Sequence, residues 1–243
     1  MEERLAEDED LRGSLADLSR LTSARLGLEG MLTRVATYAV QAIPGADGAG
    51  LTLLEEGQAD IIVATHPFVS EVDDIQYSLG QGPCISAAAE QRTILSGSLG
   101  ADARWTRFGG RVARMNIHSA LSLPLITADG VVGAMNIYAR SKRAFDSRAA
   151  ELGELFAVPA AVAVQNAQVL ARTQRLVSQL QSALDSRRGV DHGVGILMSR
   201  SGASEAEALE RLHEMSRHKQ IQLGVIADRI VKEAVARARA QDG

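Results

Sequence analysis

The single cysteine of this 243-residue chain stands in the run Gly80-Gln81-Gly82-Pro83-Cys84. The glycines permit positive φ and Pro83 suits the first turn of a helix, so the run predicts a turn that delivers Cys84 to a helix N-terminus. A helix N-terminus lowers a thiol pKa and favours a reactive thiolate. The competing role is a small side chain packed under a sheet. One cysteine excludes an internal disulfide and any zinc site built from several cysteines. The five histidines, at 66, 118, 192, 213 and 218, show no metal spacing on a common helical face. Gly80-x-Gly82 reads as a turn. Gly193-Val194-Gly195 fails as a nucleotide loop, because the third glycine of that fingerprint would fall at Met198 and no strand precedes it.

A second set of polar residues gathers near the C-terminus: Arg187, Arg188, His192, Arg200, His213, Arg217, His218, Lys219 and Gln222. Guanidinium and imidazole groups contact phosphate or stack on unpaired bases without help from aromatic side chains. A solvated helix surface paired with Glu205, Glu207, Glu210 and Glu214 is the competing account. Residues 1–10 carry six acids and one base, residues 185–243 ten bases and nine acids, and the rest balances. No segment has the strongly basic total of a typical nucleic-acid binder. The acidic start is the opposite of a signal peptide. No run approaches the ~20 apolar residues that span a bilayer. A cytoplasmic protein with no membrane partner is therefore expected, with no cofactor evident.

These residues need elements to position them. The acidic residues 1–10 predict a disordered tail. Leu11, Leu15, Leu18 and Leu21 predict a helix that Gly27 breaks, and Met31, Leu32, Val35, Ala39 and Val40 predict a second. Gly48–Leu54 and Ile61–Ala64 read as strands joined across Glu55-Glu56-Gly57. A short helix over Val69–Tyr77 and a helix from Cys84 to about Gln91 follow. Thr93–Gly97 reads as a short strand. Trp105, Phe108, Val112 and Met115 recur at helical spacing. Ile117–Ile126 and Val131–Tyr138 are strands turned by Asp129-Gly130. The sum is an α+β fold around an antiparallel sheet.

From Asp146 to about Arg188 the pattern is one long helix. Val162, Val169, Leu176 and Ala183 fall at one heptad position and Asn166, Thr173 and Leu180 at the other, which predicts a coiled-coil seam over 160–187 and a parallel homodimer. Pro159 lacks an N–H and its ring opposes the carbonyl of Leu155, so a kink or break is expected between them. Beyond it, Val190, Val194, Leu197 and Met198 mark a helix ended by Gly202. Ser204 with Glu207 makes a capping box. Ala208, Leu209, Leu212 and Met215 form the buried face of the helix it starts. Leu223, Ile226, Ala227, Ile230, Val231 and Ala234 mark another.

Gly80-Gln81-Gly82-Pro83-Cys84, Arg104-Trp105 with Phe108, Ser119–Leu125, Gly133-Ala134 with Asn136 and Tyr138, and Phe145 resemble the GAF domains of actinobacterial regulators. The resemblance implies a sensory domain over 11–165, with a pocket between the sheet and the Glu71–Met115 segment. Cys84, Trp105, Phe108 and Met115 are its candidate lining, and an unidentified small molecule its candidate ligand. Arg187, Gly195-Ile196-Leu197-Met198, Ser204 with Glu207-Ala208, Leu212, Ser216, Leu223 and Ala227 resemble the ANTAR domain, an RNA-binding module of transcription antiterminators, over 185–243. That family usually has Ala-Lys where this chain has Gly193-Val194, and a basic pair where it has Ile221-Gln222. Together the resemblances imply a GAF sensor, a dimeric linker helix and a three-helix ANTAR bundle that binds a hairpin pair in a transcript leader. The alternatives are a DNA-binding helix-turn-helix over Ser204–Val231, a protein-interaction module, and a GAF-fold reductase of methionine sulfoxide. The last uses several cysteines, and this chain has one.

Overall fold

The computed structural model describes residues 2–21, 23–55 and 58–241. They form two compact units, residues 1–171 and 172–243. Helix α1 spans Glu2–Arg20 and α2 spans Ser23–Ala42. Strands β1 (Gly48–Glu55) and β2 (Gln58–Ala64) precede α3 (Pro67–Leu79) and α4 (Pro83–Glu90). Then come β3 (Ile94–Ser96), α5 (Thr106–Val112), β4 (Ser119–Thr127) and β5 (Gly130–Ala139). Helix α6 runs Ser147–Ser201, and α7 (Glu205–Lys219) and α8 (Leu223–Gln241) complete the chain.

The five strands form one antiparallel sheet in the order β2-β1-β5-β4-β3. Its two faces follow from the period of two along each strand. Ala49, Leu51 and Leu53 of β1, Leu121, Leu123 and Leu125 of β4, and Met135, Ile137 and Ala139 of β5 share one apolar core. Val35 and Ala39 of α2 and Leu152, Phe156, Ala160 and Val164 of α6 cover it. The intervening residues Gly50, Thr52, Ser122, Asn136 and Tyr138 point to the other face, which is also buried. Helices α3 and α4 lie against that second face, where Gly50 leaves room for Asp73 of α3. The Asp129-Gly130 turn closes β4 on β5 with Gly130 at φ 116°, a region that favours glycine.

Gly133 is needed for a different reason. A Cβ there would sit 2.3 Å from the carbonyl oxygen of Thr52 on the neighbouring strand. Gly133→Ala is therefore expected to destabilise the first unit by on the order of 2 kcal/mol, since only a backbone shift relieves the clash. The check is thermal unfolding followed by Trp105 fluorescence, Trp105 being the chain's one tryptophan; an unchanged midpoint would show that β1 and β5 separate at no cost.

Three expectations need correction. Residues 2–10 are the first half of α1 and no disordered tail. Glu7 and Asp8 pair with Arg148 on α6, and Leu11 and Leu18 enter the core, so acidic composition is outweighed by docking. The backbone stays helical through Pro159, with no break. Phe156, Ala157, Ala160 and Ala161 on either side of it are packed under the sheet, which holds that turn in place. The helix expected to begin near Val190 is the C-terminal part of α6 and does not start separately. Gly27 does interrupt α2, with φ 66° and ψ −179°. The tip of the first hairpin, Glu56-Gly57, lies outside the described residues.

Over one 18-residue window α6 is apolar enough to be weighed as a membrane span, and a third of that window is buried.

Candidate sensory core and nucleic-acid interface

The turn before α4 forms as its residue types predict. Gly80 caps α3 at φ 61°, Gly82 stands at φ 152°, and Pro83 opens α4. The Cys84 N–H donates to Gln76 Oε1 at 2.8 Å, and its Sγ lies 3.2 Å from the Tyr77 hydroxyl. The thiol is fully buried, and burial pushes its pKa up to about 12. That overrides any lowering by the helix N-terminus, so Cys84 is a packed thiol rather than a nucleophile.

Beside it lies a cluster that spacing in the sequence did not reveal. Asp73, on the inner face of α3, accepts hydrogen bonds at Oδ1 from Tyr138 Oη (2.6 Å), Asn136 Nδ2 (3.1 Å) and Gln76 Nε2 (3.3 Å). Ser122 Oγ donates to Asn136 Oδ1 at 2.9 Å. Asp73, Gln76, Ser122, Asn136 and Tyr138 are all fully buried. Burial raises the Asp73 carboxyl from the ordinary carboxylate range to about 7, and neighbouring Asp74 adds to the rise. The hydrogen bonds from Tyr138 and Asn136 oppose it. Asn136 and Tyr138 alternate with Met135 and Ile137 in the buried part of β5, so two polar groups two residues apart in a buried strand were the available signal.

The other expected lining residues sit in an adjoining apolar cluster. Trp105, Phe108 and Val112 are buried there with Ile117 and Leu99, and Met115 packs against them partly exposed. Trp105 Nε1 donates to Ser86 Oγ of α4 at 3.1 Å. Arg104 lies over the indole ring at 4.2 Å and donates to Asp102 and to the Leu95 carbonyl. Those bonds hold the Asp102 carboxyl down at about 2. The structure therefore joins Trp105, Phe108 and Met115, and places Cys84 in the polar cluster instead.

In the second unit Val194, Ala208, Leu212, Ile226, Ala227 and Ile230 form the core. Ser204 caps α7, with its side chain accepting from Glu207 N–H while Glu207 accepts from Ser204 N–H. Two glycines of α6 face α8 closely: a Cβ on Gly193 would meet Ala227 Cα at 3.2 Å, and one on Gly189 would meet Asp228 Oδ1 at 2.8 Å. Leu209, expected in the buried face, is 36% exposed, because α7 turns Ala208 and Leu212 inward and Leu209 away.

All nine nucleic-acid candidates are exposed. Arg187, Arg188, His192 and Arg200 lie on α6, and Arg217, His218 and Lys219 form the last turn of α7, where cations also complement the helix dipole. His213 is one turn earlier. Gln222 lines a cleft of about 370 Å³ with Ser182, Asp185, Ser186 and Asp228. Asp185 and Asp228 make that cleft unfavourable for phosphate, so contacts to a backbone would flank it. Arg217 pairs with Glu210 at 2.7 Å and Arg188 with Asp185 at 3.9 Å, both on open surface, where such pairs yield readily.

The family model of the GAF domain matches residues 26–165. The chain belongs to the GAF domain family. The ANTAR domain model matches residues 178–231. The GAF domain from a phosphoenolpyruvate-protein phosphotransferase of Coxiella burnetii superposes with TM-score 0.52 at 14% identity, covering 69% of this chain and 98% of that one. The corresponding Acinetobacter domain gives TM-score 0.51 at 12% identity over 68% and 97%. Reduced fRMsr of Staphylococcus aureus gives 0.50 at 15% over 65% and 94%. At such identities the likeness is one of fold. No protein of curated function matches the sequence.

Within the ANTAR domain, Val194 stands where the family usually carries lysine. It is 7% exposed in the three-helix core. A lysine here would need to bury its stem and carry its charge past Ala227, so the missing lysine is a packing difference as well as an absent cation. The seam residues Val162 (49% exposed), Val169 (58%), Leu176 (55%) and Leu180 (57%) face outward, and Asn166, Thr173 and Ala183 are exposed as well. The structure adds exposed Leu155, one heptad before Val162, and Leu184. Continuing the seven-residue count backwards from Val162 would have found Leu155.

Proposed function

We propose that the protein is a signal-responsive regulator of transcription antitermination. The GAF domain receives the signal, a parallel homodimer formed through α6 transmits it, and the ANTAR domain binds a hairpin pair in a transcript leader. The observation that carries this reading is the presence of a GAF domain and an ANTAR domain in one chain, α6 contributing residues to both. That pairing fits a signal-regulated RNA-binding regulator better than an enzyme. The buried, hydrogen-bonded state of the one cysteine supports the same side of the choice.

Arg187, Arg188 and Arg217 are the main phosphate-binding groups in this reading. With Val194 buried and Ile221-Gln222 in place of a basic pair, fewer cations are available than the family pattern offers. Affinity then depends on two linked copies, since the second copy engages at raised effective concentration. The test is a salt titration of hairpin RNA binding. Arg187→Ala/Arg188→Ala is expected to weaken binding and make the salt slope shallower by roughly 1–2, about one for each phosphate no longer neutralised. Binding of duplex DNA in preference to hairpin RNA would select the helix-turn-helix reading. Binding of neither by an intact dimer would select a protein-interaction module.

A further inference from the structure

The space between β1, β5 and α3 is filled by the protein's own side chains. A Cβ on Gly50 would lie 2.4 Å from Asp73 Oδ2, and one on Gly82 would lie 2.1 Å from Gln76 Oε1. The glycines are there to admit Asp73 and Gln76. The three donors that reach Asp73 all bond Oδ1, while its buried Oδ2 has no partner among the described residues. A carboxylate would leave charge on an oxygen that nothing solvates, whereas a carboxylic acid places its neutral hydroxyl there and keeps Oδ1 as the carbonyl acceptor.

We propose that the GAF domain binds a proton at Asp73 as its signal, the carboxyl group standing in the sheet–helix layer where a small ligand would otherwise lie. The groups facing it are Asp74 and Tyr77 from α3, Cys84 from α4 and Tyr138 from β5; β1 contributes uncharged Gly50 and Thr52, and Ser122 of β4 acts through Asn136. None of these is a cation, so proton loss creates an uncompensated negative charge. The relief available is for α3 to move off β1 and let water reach Oδ2. Through Gln76, which accepts from Cys84 N–H, the same movement loosens α4 and the Ser86 hydrogen bond to Trp105.

The folded protein holds this proton to higher pH than the unfolded chain does. The associated stability is complete below the ordinary carboxylate range near pH 4, falls as pH rises, and is gone above about pH 7. This rests on reading the first unit as a sensor, and its readouts lie in that unit, so it can fail while RNA binding by the second unit holds, or the reverse.

The experiment follows Trp105 fluorescence and thermal unfolding of the full chain from pH 5.5 to 8.5. The wild type is expected to show a one-proton fluorescence transition near pH 7 and to lose about 4 °C in midpoint between pH 6 and 8. Asp73→Asn keeps all five histidines and removes only this proton site, so the wild-type fluorescence transition should be missing from it. Tyr138→Phe removes a donor that favours the charged form and should move the transition to higher pH, which keeps the test decisive if Asp73→Asn folds poorly. A wild type without the transition, an unaltered transition in Asp73→Asn, or a transition in Tyr138→Phe that stays in place or moves to lower pH overturns the proposal.

Discussion

Replacing Leu176 and Leu180 together by aspartate is expected to turn a dimer into a monomer in sedimentation at tens of micromolar, on the scale of marginal seams. Helix α6 has apolar residues on opposite sides. Leu152, Phe156, Ala160 and Val164 are buried under the sheet, while Leu155, Val162, Val169, Leu176 and Leu180 are about half exposed. A helix that only served its own core would have no reason to keep the second row. The row keeps the seven-residue period of a two-stranded seam, with Asn166, Thr173 and Leu180 at the alternate position, where a polar residue fixes register at some cost in stability. Leu176 and Leu180 are 55% and 57% exposed, so burying the rest of each in a seam contributes roughly 1 kcal/mol, about 4 kcal/mol for the four leucines of a dimer, a large share of the ~8 kcal/mol that a micromolar dimer requires. Aspartate removes that contribution and adds like-charge repulsion. A wild-type monomer at the same concentration would end the dimer reading, and with it the role given to α6 in transmission.

Much of the GAF fold could be read from the residues because both of its periodicities are strong. The β4–β5 hairpin announces itself by apolar runs around Asp129-Gly130, and the turn before α4 by Gly80, Gly82 and Pro83, each of which takes the backbone geometry its chemistry allows. What could not be read depended on partners distant in sequence. Acidic residues 2–10 look unstructured until Arg148, more than a hundred residues on, pairs with Glu7 and Asp8. Pro159 looks like a break until the packing of Phe156 and Ala160 holds the helix through it. Asp73 looks like an ordinary surface acid of an amphipathic helix, and only the pairing of β1 with β5 shows that Asn136 and Tyr138 face it. Residues on the candidate RNA surface present the opposite difficulty. Their exposure is legible, but exposure does not separate a residue that binds from a solvated side chain.

Leu212→Ala is expected to unfold the ANTAR domain while leaving the GAF domain intact. The core of the second unit consists of Val194, Ala208, Leu212, Ile226, Ala227 and Ile230, two of them alanines, so Leu212 is its largest single contribution together with the isoleucines. Removing a fully buried leucine costs about 2–5 kcal/mol through lost burial and the cavity left behind. A bundle of this size has roughly that much stability in total. The far-UV transition of α7 and α8 should fall by at least about 10 °C, and hairpin RNA binding should disappear with it. Trp105 lies in the first unit, so its fluorescence transition should not move. Leu209→Ala, one turn earlier at the margin of the buried face and 36% exposed, is the comparison and should cost distinctly less, about 1 kcal/mol. If the two substitutions behave alike, α7 does not present the face that places Ala208 and Leu212 inward. The surface assigned to Arg217, His218 and Lys219 would then have to be drawn again.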